Sequence, residues 1–308
     1  MGTVAYYPGC TLKDRSLQLD QSARATAEKL GAELVEVQPW TCCGAVPPSS
    51  QERVMNLVAP VRILKRTRDA GEAVLVTICD FCYNVLKRAN YRMRTDTVLR
   101  TRVNAYLKED EPLRDYELPP PASSDEYRGE VRVLHYFEYL RDEIGYATLA
   151  ERVERPLQGL RIAPYYGCVM LRPKKEIELD DPENPRIMED FLLALSAEPV
   201  AYPYRNECCG SFLSVSSSDS SARLCHEILA SAQKHGAEAL MVSCPLCHYN
   251  LEARQETIAK AFPGFEKIPV FYFTQLLGVA LGVAPSALGF ERHRVDCRPV
   301  LAQKDFVA

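Results

Sequence analysis

The sequence has no apolar run long enough to span a bilayer. Its longest candidate, residues 271–283, is interrupted by Thr274, Gln275 and glycines, and falls short of the ~20 residues a spanning helix needs. Positive charge is not in excess either. The chain has 37 Lys and Arg against 41 Asp and Glu, a net charge of -4, which argues against the basic footprint of general nucleic-acid binding. Residues 1–7 lack the charged and apolar regions of a signal peptide, so a cytoplasmic protein is expected. There is no Gly-x-Gly-x-x-Gly fingerprint for a flavin or nicotinamide, and no Cys-x-x-Cys-x-x-Cys run for a ferredoxin-type cluster. If the chain handles electrons, they enter from another protein of a complex.

Cysteine is what the sequence does have. Of 12 cysteines in 308 residues, ten form one pattern written twice. The first set is Cys10, Cys42, Cys43, Cys79 and Cys82; the second is Cys168, Cys208, Cys209, Cys244 and Cys247. Each reads as a lone cysteine, then Cys-Cys-Gly, then Cys-x-x-Cys. Cytosolic thiols stay reduced, so this many point to ligands rather than disulfides. A disulfide framework would need export, and it explains neither the adjacent pair nor the Cys-x-x-Cys.

The repeat extends beyond cysteine. Residues 6–10 (YYPGC) resemble 164–168 (PYYGC), residues 71–79 resemble 236–244, and 133–140 loosely match 270–277. The offsets are 158 at the first cysteine, 166 at the pair and 165 at the Cys-x-x-Cys, which indicates a duplicated domain rather than a solenoid. Two repeats are expected, 1–155 and 156–308, the second with a C-terminal extension.

Within the first copy, apolar runs and helical spacing alternate. Strands are expected at 4–7, 33–37 and 73–78, with helices at 16–30, 51–70 (Pro60 as a possible kink) and 81–91. The second copy predicts strands at 160–166, 198–203 and 238–243, and helices at about 184–196, 219–235 and 246–261. A helix over 139–153 joins the copies. The proline-rich stretch 109–129 and the charged stretch 172–185 read as exposed insertions. The fold class is therefore α/β: two pseudo-symmetric repeats with parallel sheets, and cysteines at the carboxyl ends of strands, where such sheets gather ligands.

Cys-x-x-Cys alone serves zinc, iron–sulfur and redox sites. Each set here offers five thiols, whereas a structural zinc takes four ligands. Four ligands and a spare thiol stay possible. Adjacent cysteines do not easily reach one ion together in tetrahedral geometry, but they can reach different irons of one cluster, and thiolates are the usual iron–sulfur ligands.

On these motifs the chain resembles the tandem cysteine-rich CCG domain family, and over its whole length the B subunit of heterodisulfide reductase. The resemblance implies two non-cubane [4Fe-4S] clusters, one on each set of five cysteines, with zinc in place of the first cluster as the alternative. It implies an oxidoreductase subunit that reductively cleaves, or forms, a small-molecule disulfide between the clusters. Its expected partners are a ferredoxin-like C subunit and a flavin-containing A subunit. The competing reading is an electron-relay CCG subunit of a lactate-, glycolate- or succinate-type dehydrogenase with no substrate of its own. A third is a zinc-stabilised interaction module.

Substrates of that family carry anionic groups, so Lys13 and Arg172, three and four residues past matching cysteines, are candidate substrate contacts. Solvated charged loops are the plain alternative. His135 and His248 are candidate proton donors to a leaving thiolate, weighed against ordinary buried histidines. Cys225 and Cys297 fall outside the pattern and read as structural thiols. Tyr6, Tyr7, Tyr165 and Tyr166 are expected to pack around the cysteine sites.

Overall fold

A computed structural model describes residues 2–45, 54–110 and 126–306. The first half runs β1 (Gly2–Tyr7), α1 (Leu17–Lys29), β2 (Ala32–Glu36), α2 (Val54–Asp69), β3 (Val74–Thr77), α3 (Asp80–Thr95), α4 (Thr97–Asp110) and β4 (Arg132–His135). A short helix α5 (Tyr136–Glu138), a π-helical turn (Tyr139–Ile144) and α6 (Tyr146–Glu151) follow. The second half is β5 (Arg161–Pro164), α7 (Lys174–Ile177), α8 (Ile187–Ala194), β6 (Glu198–Pro199), α9 (Ser218–Lys234), β7 (Ala239–Val242), α10 (Pro245–Ala253), α11 (Gln255–Ala261) and β8 (Val270–Tyr272). It closes with α12 (Phe273–Ala280) and α13 (Arg298–Ala302).

Two four-stranded sheets result, ordered β2-β1-β3-β4 and β6-β5-β7-β8. All their pairings are parallel. Strands such as Val74–Thr77 and Ala239–Val242 are nearly continuous apolar runs, as expected for strands covered on both faces. The edge strands end in the same device. The His135 backbone N–H donates to Glu138 Oε2 at 2.9 Å, and that of Tyr272 donates to Gln275 Oε1 at 2.9 Å. Each is half of a capping box that turns a strand directly into a helix.

The halves interlock. Phe137 and Phe273 stack with centroids 4.0 Å apart. Ser22 on α1 shares a 2.6 Å hydrogen bond with Thr274 on α12, and the Tyr272 hydroxyl donates to Ser16 Oγ at 3.1 Å. Asn84 on α3 donates to the carbonyls of Val169 (2.7 Å) and Arg172 (2.6 Å) in the second half.

Several elements differ from the sequence expectation. The helix expected over 139–153 breaks at Gly145, whose φ of +84° suits glycine. The one expected over 246–261 divides between α10 and α11. There the buried Gln255 side chain bonds Leu251 O, Ile268 O and Ile268 N, each at 2.9 Å, tying the break to the approach to β8. The strand expected over 198–203 shrinks to Glu198–Pro199; the Val200 N–H still reaches Ile162 O at 2.8 Å, and the chain then leaves the sheet for a 3-10 turn at Pro203–Asn206. Stretch 172–185 is not an exposed insertion: it folds into α7, buries Ile177 and Leu179, and receives bonds from Tyr83 and Arg141 of the first half. Much of stretch 109–129 and the start of the helix expected at 51 lie outside the described residues.

The end of that proline-rich stretch is anchored. Asn104 on α4 accepts from the Tyr127 N–H (2.9 Å) and donates to the Tyr127 carbonyl (3.0 Å), and the Tyr127 hydroxyl donates to Asn90 Oδ1 (2.6 Å). Asn104→Ala leaves a buried N–H and C=O unpaired. It should cost on the order of 2 kcal/mol, read as a lower urea midpoint at unchanged slope. Thr101→Ala on the exposed side of α4 should leave the midpoint in place.

Candidate metal centre

Both cysteine sets lie at the carboxyl ends of their sheets. Cys10 and Cys168 follow the central strands β1 and β5. Cys42-Cys43 and Cys208-Cys209 lie beyond β2 and β6. Cys79 and Cys244 cap α3 and α10, and Cys82 and Cys247 lie in the first turns of those helices. The backbone N–H groups there favour negative sulfur; the Cys247 N–H faces Cys244 Sγ at 3.5 Å.

The sulfurs pair in the same way in each half. Cys43 Sγ lies 3.6 Å from Cys82 Sγ, and Cys209 Sγ lies 3.5 Å from Cys247 Sγ. Cys42 Sγ lies 3.9 Å from Cys10 Sγ, and Cys208 likewise hydrogen-bonds Cys168. Each member of a Cys-Cys pair thus reaches a different outer partner, while Cys42 and Cys43 also hydrogen-bond each other. Hydrogen bonds within the sets hold Cys43 and Cys208 below the ordinary thiol range, whereas Cys42 and Cys168 are pushed up by theirs. Cys10 and Cys42 are exposed, Cys168 and Cys208 half-buried, and the other six buried.

Two further devices are duplicated. The Tyr7 hydroxyl donates to the carbonyl of Thr41 at 2.8 Å, and that of Tyr165 to the carbonyl of Glu207 at 2.6 Å. Each acceptor immediately precedes a Cys-Cys pair, so a buried tyrosine pins each pair's loop. Burial, and then the neighbouring Cys82 and Cys247, push the two phenols far above their ordinary range, so both stay donors. Gly9 and Gly167 have φ of +73° and +66°. A Cβ on Gly9 would sit 2.6 Å from Cys82 Sγ, and one on Gly167 3.3 Å from Cys247 Sγ. The main chain passes so close to the last sulfur of each set that only glycine fits at the first.

The sets adjoin. The buried Cys244 feels the charges of Asp80 and Cys79 from the other half, and Tyr272 those of both Cys244 and Cys79. Phe81, inside the first Cys-x-x-Cys, packs edge-on against Phe212, just past the second Cys-Cys-Gly, at 5.7 Å. Asp80 is buried, and neither of its carboxylate oxygens has a hydrogen-bond partner among the described residues. His135 Nε2 lies 3.3 Å from Asp80 Oδ1.

The candidates outside the cysteines are placed as follows. Lys13 pairs with Glu36, which also pairs with Arg24. Arg172 donates to the carbonyls of Asn206 (3.4 Å) and Pro182 (3.2 Å) and faces Glu183 at 3.4 Å. His135 is fully buried: Nδ1 accepts from Phe137 N at 3.2 Å and Nε2 meets Ile78 O at 2.9 Å. His248 stacks on Tyr272 at 4.1 Å, and burial lowers its pKa to about 4. Cys225 Sγ donates to Cys209 O at 3.3 Å.

Sequence reasoning missed Asp80, Phe81–Phe212 and Asn250. Asn250 donates to Cys209 O at 3.0 Å and to Ser221 Oγ at 3.1 Å. The signal for Asp80 was in the repeat itself, since Pro245 occupies its place in the second copy. Also unforeseen was an exchange of side chains. The pair behind the first site is Tyr83 with His135, edge-on at 5.4 Å; behind the second it is His248 with Tyr272. The same two residue types have traded places.

Comparison with known proteins agrees with this geometry. The cysteine-rich domain family, CCG, matches residues 4–87 and 162–252, one match per sheet. The 8-methylmenaquinol:fumarate reductase membrane anchor subunit of Wolinella succinogenes is 31% identical over 95% of this chain and 96% of its own. The B subunit of the ferredoxin/F(420)H(2)-dependent CoB-CoM heterodisulfide reductase of Methanosarcina acetivorans is 28% identical over 98% of this chain and 97% of its own. A crystal structure of a hypothetical protein from Helicobacter pylori shares the fold, with a TM-score of 0.73 at 15% identity over 94% of this chain. The chain spans about half, 51%, of that solved protein. With both cysteine repeats matched and its relatives aligned nearly end to end, the chain belongs to the tandem cysteine-rich CCG family that includes the B subunit of heterodisulfide reductase.

Proposed function

We propose that the chain is an iron–sulfur component of a multisubunit reductase, with one cluster on each five-cysteine set. The observation that carries this reading is the repeated sulfur arrangement. Each set offers five sulfurs where a tetrahedral ion takes four, and each member of an adjacent pair reaches a different outer sulfur of its set. We assign a non-cubane [4Fe-4S] cluster to each set, and the boundary between the repeats to the stretch near residue 156, between α6 and β5.

The finer reading is reductive cleavage, or formation, of a small-molecule disulfide between the two sites. A bound cluster supplies single electrons and an iron that can accept sulfur. Opening a disulfide consumes two electrons and two protons and yields two thiols, so two adjoining one-electron sites match the count. The protein's own part is positional. Tyr7 and Tyr165 hold the Cys-Cys loops, Asn84 holds the loop beyond Cys168, and the aromatic pair Phe81 and Phe212 bridges the halves. A ferredoxin-like C subunit and a flavin-containing A subunit supply the electrons, and a reducing cytoplasm keeps the thiols available.

Two observations favour a second reading, an electron relay without its own substrate. The relative at 31% identity is named as part of a fumarate reductase. Lys13 and Arg172, the candidate anion contacts, both meet acidic side chains within the chain.

Anaerobically purified protein should carry about eight irons per chain, four for each cluster. Cys209→Ser should lose about half of that iron, and Cys225→Ser should retain all of it. An iron-free wild type sinks the cluster assignment. Adding candidate thiols to the oxidised protein should produce a new EPR signal if the disulfide reading holds; an unchanged spectrum with every thiol tried supports relay. Gly9→Ala should lower iron to about half, because its Cβ collides with Cys82 Sγ at a positive φ. Gly31→Ala has the same backbone strain but open space around it, so it should cost only about 1 kcal/mol of stability and no iron.

A further inference from the structure

Away from the cysteine sets, the described residues bring three other metal-binding side chains together. His248, Glu252 and His293 have ligand atoms that all lie within 4.8 Å of one another. Their side chains are at most 5% exposed. His248 and Glu252 stand one turn apart on the same face of α10. His293 comes from the segment that follows α12, so the group joins two distant stretches of chain.

The ring orientations are informative. His248 Nε2 meets the carbonyl of Val270 at 3.1 Å. A carbonyl only accepts, so Nε2 carries the hydrogen and Nδ1 keeps its lone pair. That Nδ1 faces Glu252 Oε2 at 4.0 Å, too far for a hydrogen bond. His293 turns its own Nδ1 to Glu252 Oε1 at 3.0 Å, and its Nε2 is backed by the Gln275 amide, 2.9 Å from the amide Nε2 and 3.1 Å from Oε1. Gln275 is itself fixed, accepting from Tyr272 N and donating to Leu288 O, both at 2.9 Å. Two imidazoles thus aim Nδ1 at one carboxylate while their outer nitrogens are held by oxygen or amide partners. Metal-bound histidines are oriented in this way. Ligand atoms about 2.0–2.2 Å from a tetrahedral zinc are separated by roughly 3.4 Å, between the two spacings seen here.

We propose that His248, Glu252 and His293 hold one zinc ion. Two histidines and a glutamate form a known zinc ligand set, with water filling the fourth position. The ion would clamp the C-terminal segment across the back of α10, the helix that carries Cys244 and Cys247. The site contains only nitrogen and oxygen donors, so it stands or falls independently of the cluster assignment.

The test measures metal in the full chain, purified anaerobically after growth with added zinc. Wild type should contain about one zinc per chain beside its iron. X-ray absorption at the zinc edge should show only nitrogen and oxygen neighbours at about 2.0–2.2 Å. Glu252→Gln and His293→Gln should each bring zinc to background while iron and sulfide stay at wild-type levels. The proposal is overturned by wild type without zinc, by a sulfur shell at about 2.3 Å, which would put the metal in a cysteine set, or by zinc retained in both variants. Should either variant fail to fold, the absorption spectrum of wild type decides alone.

Discussion

Crowded sulfur is the constraint on which the rest of the fold depends. Five thiols gathered at one sheet edge are unfavourable as charged groups, because like charges repel and burial penalises each thiolate. Shared protons ease this in part, which is why Cys43 is pushed down while Cys42 and Cys82 are pushed up. A cationic group resolves it fully. The surrounding architecture keeps five flexible positions from collapsing onto one another. Helix starts carry the Cys-x-x-Cys, a buried tyrosine pins each Cys-Cys loop, and a glycine lets the backbone pass beside the last sulfur.

The duplication keeps geometry and varies chemistry. Positions that hold the loops are the same in both halves, as with Tyr7 and Tyr165 or Gly9 and Gly167. Positions around the sites differ: Asp80 in the first repeat corresponds to Pro245 in the second, and the tyrosine–histidine pair is exchanged. Exposure differs as well, since Cys10 and Cys42 are open while Cys168 and Cys208 are half-buried. With a cluster on each set, as proposed above, unlike surroundings give the two sites unlike potentials, because cluster potential depends on hydrogen bonding and burial.

Much of this was legible in the sequence where a local signal coincided with a structural need. Apolar runs ending in glycine or cysteine marked β1, β3, β5 and β7, and the cysteine spacing marked thiols that the fold gathers in two groups. What escaped were features that depend on tertiary contact. Residues 172–185 read as solvated from their charges, yet Ile177 and Leu179 among them fill a space made by α3 and the turn at Arg141. The 246–261 helix broke because Gln255 is committed to the approach to β8, a partner no window of sequence contains. Lys13 reads from sequence as a candidate anion contact or part of a solvated charged loop; its partner Glu36 comes from β2, outside any local window.

The contact between Ser22 and Thr274 joins residues 252 positions apart. The α1 helix therefore leaves the ribosome long before α12, the helix it rests against. Closing so long a loop is entropically costly and slow, and the first half keeps an uncovered flank until α12 has been made. Asn84 imposes a similar wait, because its amide has no carbonyls to bind until residues 169–172 exist. Maturation of the first half thus follows synthesis of the second. A truncation that removes α12 leaves α1 without the helix it rests against.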